Sequence, residues 1–188
     1  MTDEQLLHDL LIGNEKAFRL LVDTYKNMVF NTVLGFIQNR DDAEDVTQNV
    51  FIRVFETVSG FKQQSKLSTW IYRISVNESL DFIRSRNRKK RWAVITSLFG
   101  SNNELLHQAG HNDHPGIITE NKEKAAILFE AINKLPDKQK TAFLLQKTQD
   151  CSQQKIAEIM QINEGAVESL LTRAKANLKK SLINYYTE

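Results

Sequence analysis

One cysteine, two prolines and seven glycines are all that the 188-residue chain contains of these types. A lone cysteine, Cys151, closes no internal disulfide, which excludes a disulfide-stapled scaffold and fits a reducing cytoplasm. So little Pro and Gly argues for long helices and few tight turns. No apolar run approaches the ~20 residues that span a bilayer, so no membrane insertion is expected. The amino end, Met1-Thr2-Asp3-Glu4-Gln5, is acidic where a secretory leader would be basic. Strand-like alternation, internal repeats and a phosphate-cradling glycine loop are all missing. A net charge of only +2 means that any contact with a polyanion has to come from local patches.

What is present is one very dense patch. Six of the eight residues 84–91 are cationic: Arg84, Arg86, Arg88, Lys89, Lys90 and Arg91. Such a block repels itself unless a polyanion neutralises it, and phosphate backbones are the commonest polyanion. A solvated helix end, where cations suit the negative pole of the dipole, is the plainer reading. Charge is also unevenly placed. Residues 1–91 hold 14 basic and 12 acidic side chains, residues 92–121 none and three, and residues 122–188 eleven and eight. The middle stretch collects Gly, Asn, Ser and His, which predicts a polar linker at 92–121 between domains at 1–91 and 122–188.

Apolar spacing predicts helices throughout, so the fold class is all-α with two small helical domains. Thr2 can cap a first helix with Leu6, Leu7, Leu10 and Leu11 on its apolar face, stopped at Gly13. Asn14 can cap a second. A third starts at the acidic cluster Asp41-Asp42-Ala43-Glu44-Asp45 and carries Ala43, Val46, Val50, Val54 and Phe55 inward until Gly60. Ser68 can cap a fourth, with Trp70, Ile71, Ile74, Leu80 and Ile83 inward, running into the basic block. Beyond the linker, Thr119 can cap a helix whose inner face is Ala125, Leu128, Phe129 and Ile132, and Pro136 opens the next, with Ala142, Leu144 and Leu145.

Residues 152–175 have helix-turn-helix spacing. A short helix capped by Ser152 ends at Met160, Gln161-Ile162-Asn163 makes the turn, and a longer helix capped by Asn163 follows. Ala157 sits where crossing helices need a small side chain, Ile162 can plug the gap, and Val167, Leu171, Ala174 and Leu178 face inward. Such a motif offers the first turns of its second helix to a major groove. Helix pairs of this spacing also occur in ordinary bundles, and the turn lacks the usual glycine.

Three segments in order resemble the extracytoplasmic-function (ECF) group of bacterial sigma factors. Residues 42–51 (Asp-Ala-Glu-Asp-Val-Thr-Gln-Asn-Val-Phe) are similar to the segment that docks on core RNA polymerase. Leu67-Ser68-Thr69-Trp70-Ile71-Tyr72-Arg73-Ile74, with Asn77, Asp81 and Arg84 after it, is similar to the promoter-melting and −10-reading segment. Leu135-Pro136, Ile156-Ala157-Glu158-Ile159 and residues 165–175 are similar to the −35-reading helix-turn-helix. The resemblance covers residues 18–91, like the family's second conserved region, and 123–182, like its fourth.

The resemblance implies that Asp42, Glu44, Asp45, Gln48, Asn49 and Phe51 meet core RNA polymerase. It implies −10 contacts from Phe61, Gln63, Gln64, Ser65, Lys66, Tyr72, Asn77 and the basic block. It assigns −35 contacts to Ser152, Glu164, Glu168, Ser169, Thr172, Arg173, Lys175 and Lys179. Each carry-over has a physical basis. Carboxylates suit a helix N-terminus, loop amides can bond the edge of a flipped base, and an aromatic face stacks on an unpaired base for about 1–3 kcal/mol. Trp70 can serve core or base, and Asp81 can simply pair with Arg84 one turn on. Glu168 and Leu170 stand where many members carry basic residues, and Glu can accept from cytosine N4. The implied partners are core RNA polymerase and promoter DNA, with an anti-sigma factor left open.

Enzymatic readings have little to stand on. His107, His111, Asp113 and His114 have ligand-like spacing but lie in a Gly- and Asn-rich stretch with no oriented supporting shell. The acidic cluster lacks the Gly and final Glu of a calcium loop, and Cys151 has no histidine nearby in sequence. No catalytic residue, metal or cofactor is expected. The alternative function is a helix-turn-helix regulator that never joins polymerase, which accounts for residues 152–180 and leaves the first domain unexplained.

Overall fold

Gly13 turns the first corner of the chain. Its φ of 74° lies in the left-handed region, which costs an L side chain about 1–2 kcal/mol, and α1 (Asp3–Leu11) ends just before it. Asn14 caps α2 (Glu15–Ile37), accepting from the Lys16 backbone N–H at 3.0 Å. Asn39 caps α3 (Arg40–Thr57), accepting from Asp42 N–H at 2.9 Å, so that helix starts one residue before the acidic cluster. A 3₁₀ turn, Val58–Gly60, closes it. These elements come from a computed structural model that describes residues 3–99 and 119–186.

The fourth helix departs from expectation at both ends. α4 spans Leu67–Phe99, so Ser68 lies inside its first turn and caps nothing. The Lys66 carbonyl instead accepts from the N–H groups of Thr69 and Trp70. Residues 92–99 fall inside the expected linker, which holds no basic side chain, but they carry no Gly or Pro themselves, so nothing breaks the helix there. α5 (Thr119–Asn133) likewise starts inside the expected linker. Thr2 and the three linker histidines lie outside the described residues.

α6 (Asp137–Thr148), α7 (Gln153–Met160) and α8 (Glu164–Tyr186) complete the chain, with no strand among the described residues. Ser152 caps α7 by accepting from Lys155 N–H at 3.1 Å, and the Asn163 side chain accepts from Ala166 N–H at 2.7 Å to open α8. The turn between them is made by Gln161 at φ 56°, taking the left-handed position that Gly usually fills. Its backbone N–H closes on the Ala157 and Glu158 carbonyls.

In the first half, α2, α3 and α4 pack pairwise around Leu21, Val29, Val33, Val50, Val54 and Ile71, all fully buried. α3 touches both neighbours, so its buried face is wider than one stripe. It takes in Phe51 at 6% exposure and leaves Phe55 at 47%, edge-on to Phe18 at 5.4 Å. The sequence places Phe55 inward and Phe51 toward polymerase or the core; Phe51 takes the core and Phe55 the surface. Leu11 and Leu128 were also expected inside and are exposed. Ala125 is exposed as well, and α5 buries only its last turns, with Ile132 inside and Phe129 half-buried.

The second core gathers Ile132, Leu135, Leu144, Leu145, Ile156, Val167, Leu171 and Ala174 from α5 to α8. It does not stop at the linker. Phe36 of α2 and Val76 and Leu80 of α4 belong to it as well. α4 is therefore buried on two sides. Between them the fully buried Ser75 and Ser79 donate to carbonyls one turn back, Ile71 O at 2.9 Å and Ser75 O at 2.7 Å. Their small, self-satisfied hydroxyls let helices close on both flanks of α4.

Candidate nucleic-acid and polymerase interfaces

α8 presents one clean outward stripe. Glu164, Glu168, Thr172, Lys175 and Lys179 recur every three or four residues and all are exposed. Val167, Leu171, Ala174 and Leu178 lie opposite, buried. Acid leads the stripe and base trails it. Ser169 is half-buried and accepts from Arg173 at 2.8 Å, and Ser152 has its hydroxyl engaged in the α7 cap.

The basic end of α4 divides by partner. Arg84 donates to Asp81 at 3.1 Å and to Asp137 of α6 at 2.7 Å, and Arg86 donates to Asp42 at 3.0 Å. Arg88, Lys89 and Arg91 are exposed and make no ion pair among the described residues; the Lys90 side chain lies outside them. Trp92, 69% exposed, continues this surface with an aromatic face. Spacing gives no warning of it, because residue 92 falls in the expected linker.

The loop before α4 is a shallow platform. Phe61 and Trp70 stack at 5.0 Å and both pack on the first core, so the ring of Phe61 is mainly structural, as is that of Trp70. Gln63, in left-handed conformation at φ 54°, Gln64 and Lys66 are exposed, and Ser65 is half-buried. On α3, Glu44, Asp45, Gln48 and Asn49 face outward, with Glu44 accepting from Arg40 at 3.0 Å and Asp42 from Arg86. Phe51 is in the core and leaves this surface. Its apolar part is Ile52, 54% exposed, with Phe55; Ile52 lay off the predicted inner stripe, which was the available signal.

A seam joins the halves. Arg73 of α4 donates to the last carbonyls of α7, Glu158 O at 2.8 Å and Ile159 O at 3.2 Å, where a cation suits the helix dipole. Lys155 of α7 donates to the Thr69 hydroxyl. Tyr72 is half-buried there and hydrogen-bonded to Cys151. Burial first, then the Cys151 charge and hydrogen bond, push the Tyr72 phenol up to about 12. Burial likewise raises the Cys151 thiol despite Tyr72 and Lys155, so it is no activated nucleophile. Burial lowers Lys140, with Asp137 opposing. A cleft of about 260 Å³ lies along the seam, with Arg73, Asn77 and Arg84 on one wall and Asp137, Lys138 and Gln161 on the other.

Among the described residues no group of His, Cys, Asp and Glu is placed to hold a metal ion, and no helix is long and apolar enough to cross a membrane. Fold and surfaces together define a helical protein in two parts, the second ending in a helix-turn-helix. Residues 21–89 match sigma-70 region 2, and residues 125–178 match sigma-70 region 4. The first match accounts for the half of the chain that a simple helix-turn-helix regulator left unexplained.

Full-length relatives narrow the class. The ECF RNA polymerase sigma-E factor of Haemophilus influenzae is 30% identical, over 97% of this chain and 96% of its own. SigW of Bacillus subtilis, another ECF sigma factor, is 30% identical over 90% and 91%. The RNA polymerase sigma-H factor of Pseudomonas aeruginosa is 28% identical over 96% and 93%. The chain belongs to the ECF group of RNA polymerase sigma factors. In fold it is similar to CnrH, solved in complex with the cytosolic domain of CnrY (TM-score 0.65, 20% identity, 97% of each chain). It is also similar to RpoE of Bartonella quintana, solved with the anti-sigma factor NepR (TM-score 0.58, 22% identity, 89% and 97%).

Proposed function

We propose that this sigma factor divides its work among three helices. The outer face of α3, with Asp42, Glu44, Asp45, Gln48 and Asn49, holds core RNA polymerase. α4, with the loop before it, engages the −10 element. α8 reads the −35 element through Glu164, Glu168 and Thr172 while Lys175 and Lys179 hold its backbone. The protein has no chemistry of its own and acts in the cytoplasm, where an anti-sigma factor is its expected antagonist. The single observation that carries the reading is the α8 stripe, where five exposed polar positions sit opposite four buried apolar ones behind a capped helix-turn-helix.

In vitro transcription with a randomised promoter library tests it. Promoter-dependent transcripts are expected only when the chain and core polymerase are both present. Substituting Asp45 and Gln48 with alanine should weaken co-elution with core polymerase and leave −35 selection unchanged. A chain that drives no transcript from any library member is not acting as a sigma factor.

A further inference from the structure

We propose that Trp92 is a further promoter-binding residue, its indole packing on the sugar–phosphate edge of the duplex just upstream of the −10 element. The inference rests on the sigma-factor reading above and adds a contact to it. At 69% exposure Trp92 is the most open large apolar side chain among the described residues. A single exposed apolar residue needs no explanation by itself; the surroundings of this one do. Asn77, Asp81, Arg84, Arg88 and Trp92 follow one another at steps of three or four residues and so share one side of α4. Arg84 is held by Asp137 of α6, whereas Arg88 and Trp92, one and two turns further on, are exposed. Arg91 beside the indole is exposed as well, and neither arginine makes an ion pair among the described residues. No acidic residue stands between Asp81 and Glu104 in the chain. The ring is therefore set among cations alone, which is complementary to a polyanion and to little else.

Distance decides which part of the promoter the ring meets. From Asn77 to Trp92 the helix rises about 22 Å at roughly 1.5 Å per residue. At about 3.4 Å per base pair, that reaches at most six to seven base pairs from the base proposed for Asn77. The loop proposed to engage unpaired bases, residues 61–66, precedes α4, so the melted strand lies toward the amino end of the helix. The chain leaves the carboxyl end toward the half that reads the −35 element, so duplex lies on that side. An indole brings what the arginines lack, a broad apolar face for deoxyribose and one neutral N–H donor for a phosphate oxygen. Arg88 and Arg91 hold the flanking phosphates. Contacts of this kind fix register and orientation and carry no sequence information.

The test compares two templates bound by the full chain with core polymerase, both built on a promoter recovered using the parent chain. One carries duplex upstream of the −10 element and the other begins at that element. Trp92→Ala should weaken binding to the first by about five- to tenfold, the effect of covering about 40–55 Å² of apolar ring. Binding to the second template, and co-elution with core polymerase, should match the parent. Trp92→Phe keeps an aromatic face and should recover most of the loss. Because no counterion is released at a neutral indole, the salt slope of Trp92→Ala should stay parental, whereas Arg88→Ala should lower it by about 0.7–0.9.

Four results overturn the proposal. An equal loss on both templates would place the ring on an unpaired base of the −10 element. Weakened co-elution with core polymerase would turn it toward protein. A slope reduced as far as that of Arg88→Ala would trace the loss to displaced cations, and parental binding on both templates would leave Trp92 a solvated residue. If instead the parent chain drives no transcript with core polymerase, the sigma-factor reading is what has failed.

Discussion

Replacing Arg88 and Lys89 with alanine should flatten the salt dependence of promoter binding far more than replacing Arg84 and Arg86, although all four belong to one basic block. The difference comes from their partners. Arg84 is tied to Asp81 and Asp137, and Arg86 to Asp42, whereas Arg88 and Lys89 make no ion pair among the described residues. A cation that meets phosphate directly releases counterions, changing the log–log salt slope by about 0.7–0.9 per contact. Two such contacts amount to roughly 1.4–1.8 units, or about 7- to 12-fold in affinity between about 50 and 200 mM salt. Arg84 and Arg86 must first surrender a carboxylate, which then attracts a cation of its own, so losing both should change the slope by less than about one unit. Fluorescence anisotropy of holoenzyme on labelled promoter DNA, titrated with salt, measures both slopes. Equal changes for the two pairs would mean that the ion pairs play no part in how the block meets DNA. An unchanged slope for Arg88 and Lys89 would assign them to solvation.

Three further outcomes are expected. Glu168→Gln adds an NH2 donor on the exposed face of α8 and should shift preference at one base of the −35 element by about 1–3 kcal/mol, leaving polymerase binding unchanged; selection from a randomised element returning the parental motif would misplace the reading face. Leu171→Ala, at a position 3% exposed in the second core, should lower stability by about 2–5 kcal/mol in denaturant titration, and a loss under about 1 kcal/mol would contradict the packing described. Tyr72 should titrate near pH 12 by ultraviolet absorbance, against about 10 for an ordinary tyrosine. Its folded value is the higher one, so its contribution is complete below about pH 10 and fades as pH climbs through 12; the late step should vanish in Tyr72→Phe, and its persistence there would assign it to another group.

Helices and their starts were legible in the sequence wherever the chemistry is local. Asn14, Ser152 and Asn163 cap through hydrogen bonds to residues two or three positions on, and that reach lies within any short window of sequence. The α8 stripe was legible for the same reason, since helical spacing alone sorts Glu168 from Leu171. Ser68 misled because a good capping side chain is no use where the preceding carbonyl already opens the helix. Phe51 took the core and Phe55 the surface because α3 packs against two helices at once, and periodicity measures one face at a time. The seam was not legible. By sequence, residues 92–121 separate two domains, and nothing in the pattern says how they pack together. Arg73 meets Glu158 across 85 residues of chain, and Val76 and Leu80 enter the second core. Nothing in the pattern of α4 marks which of its two apolar sides belongs to a distant partner, because both follow the same 3.6-residue period. Sequence determined that this chain is a helical sigma factor and which faces its helices offer. Only tertiary structure decided that one of those faces is already occupied, because occupancy depends on how two halves meet in space.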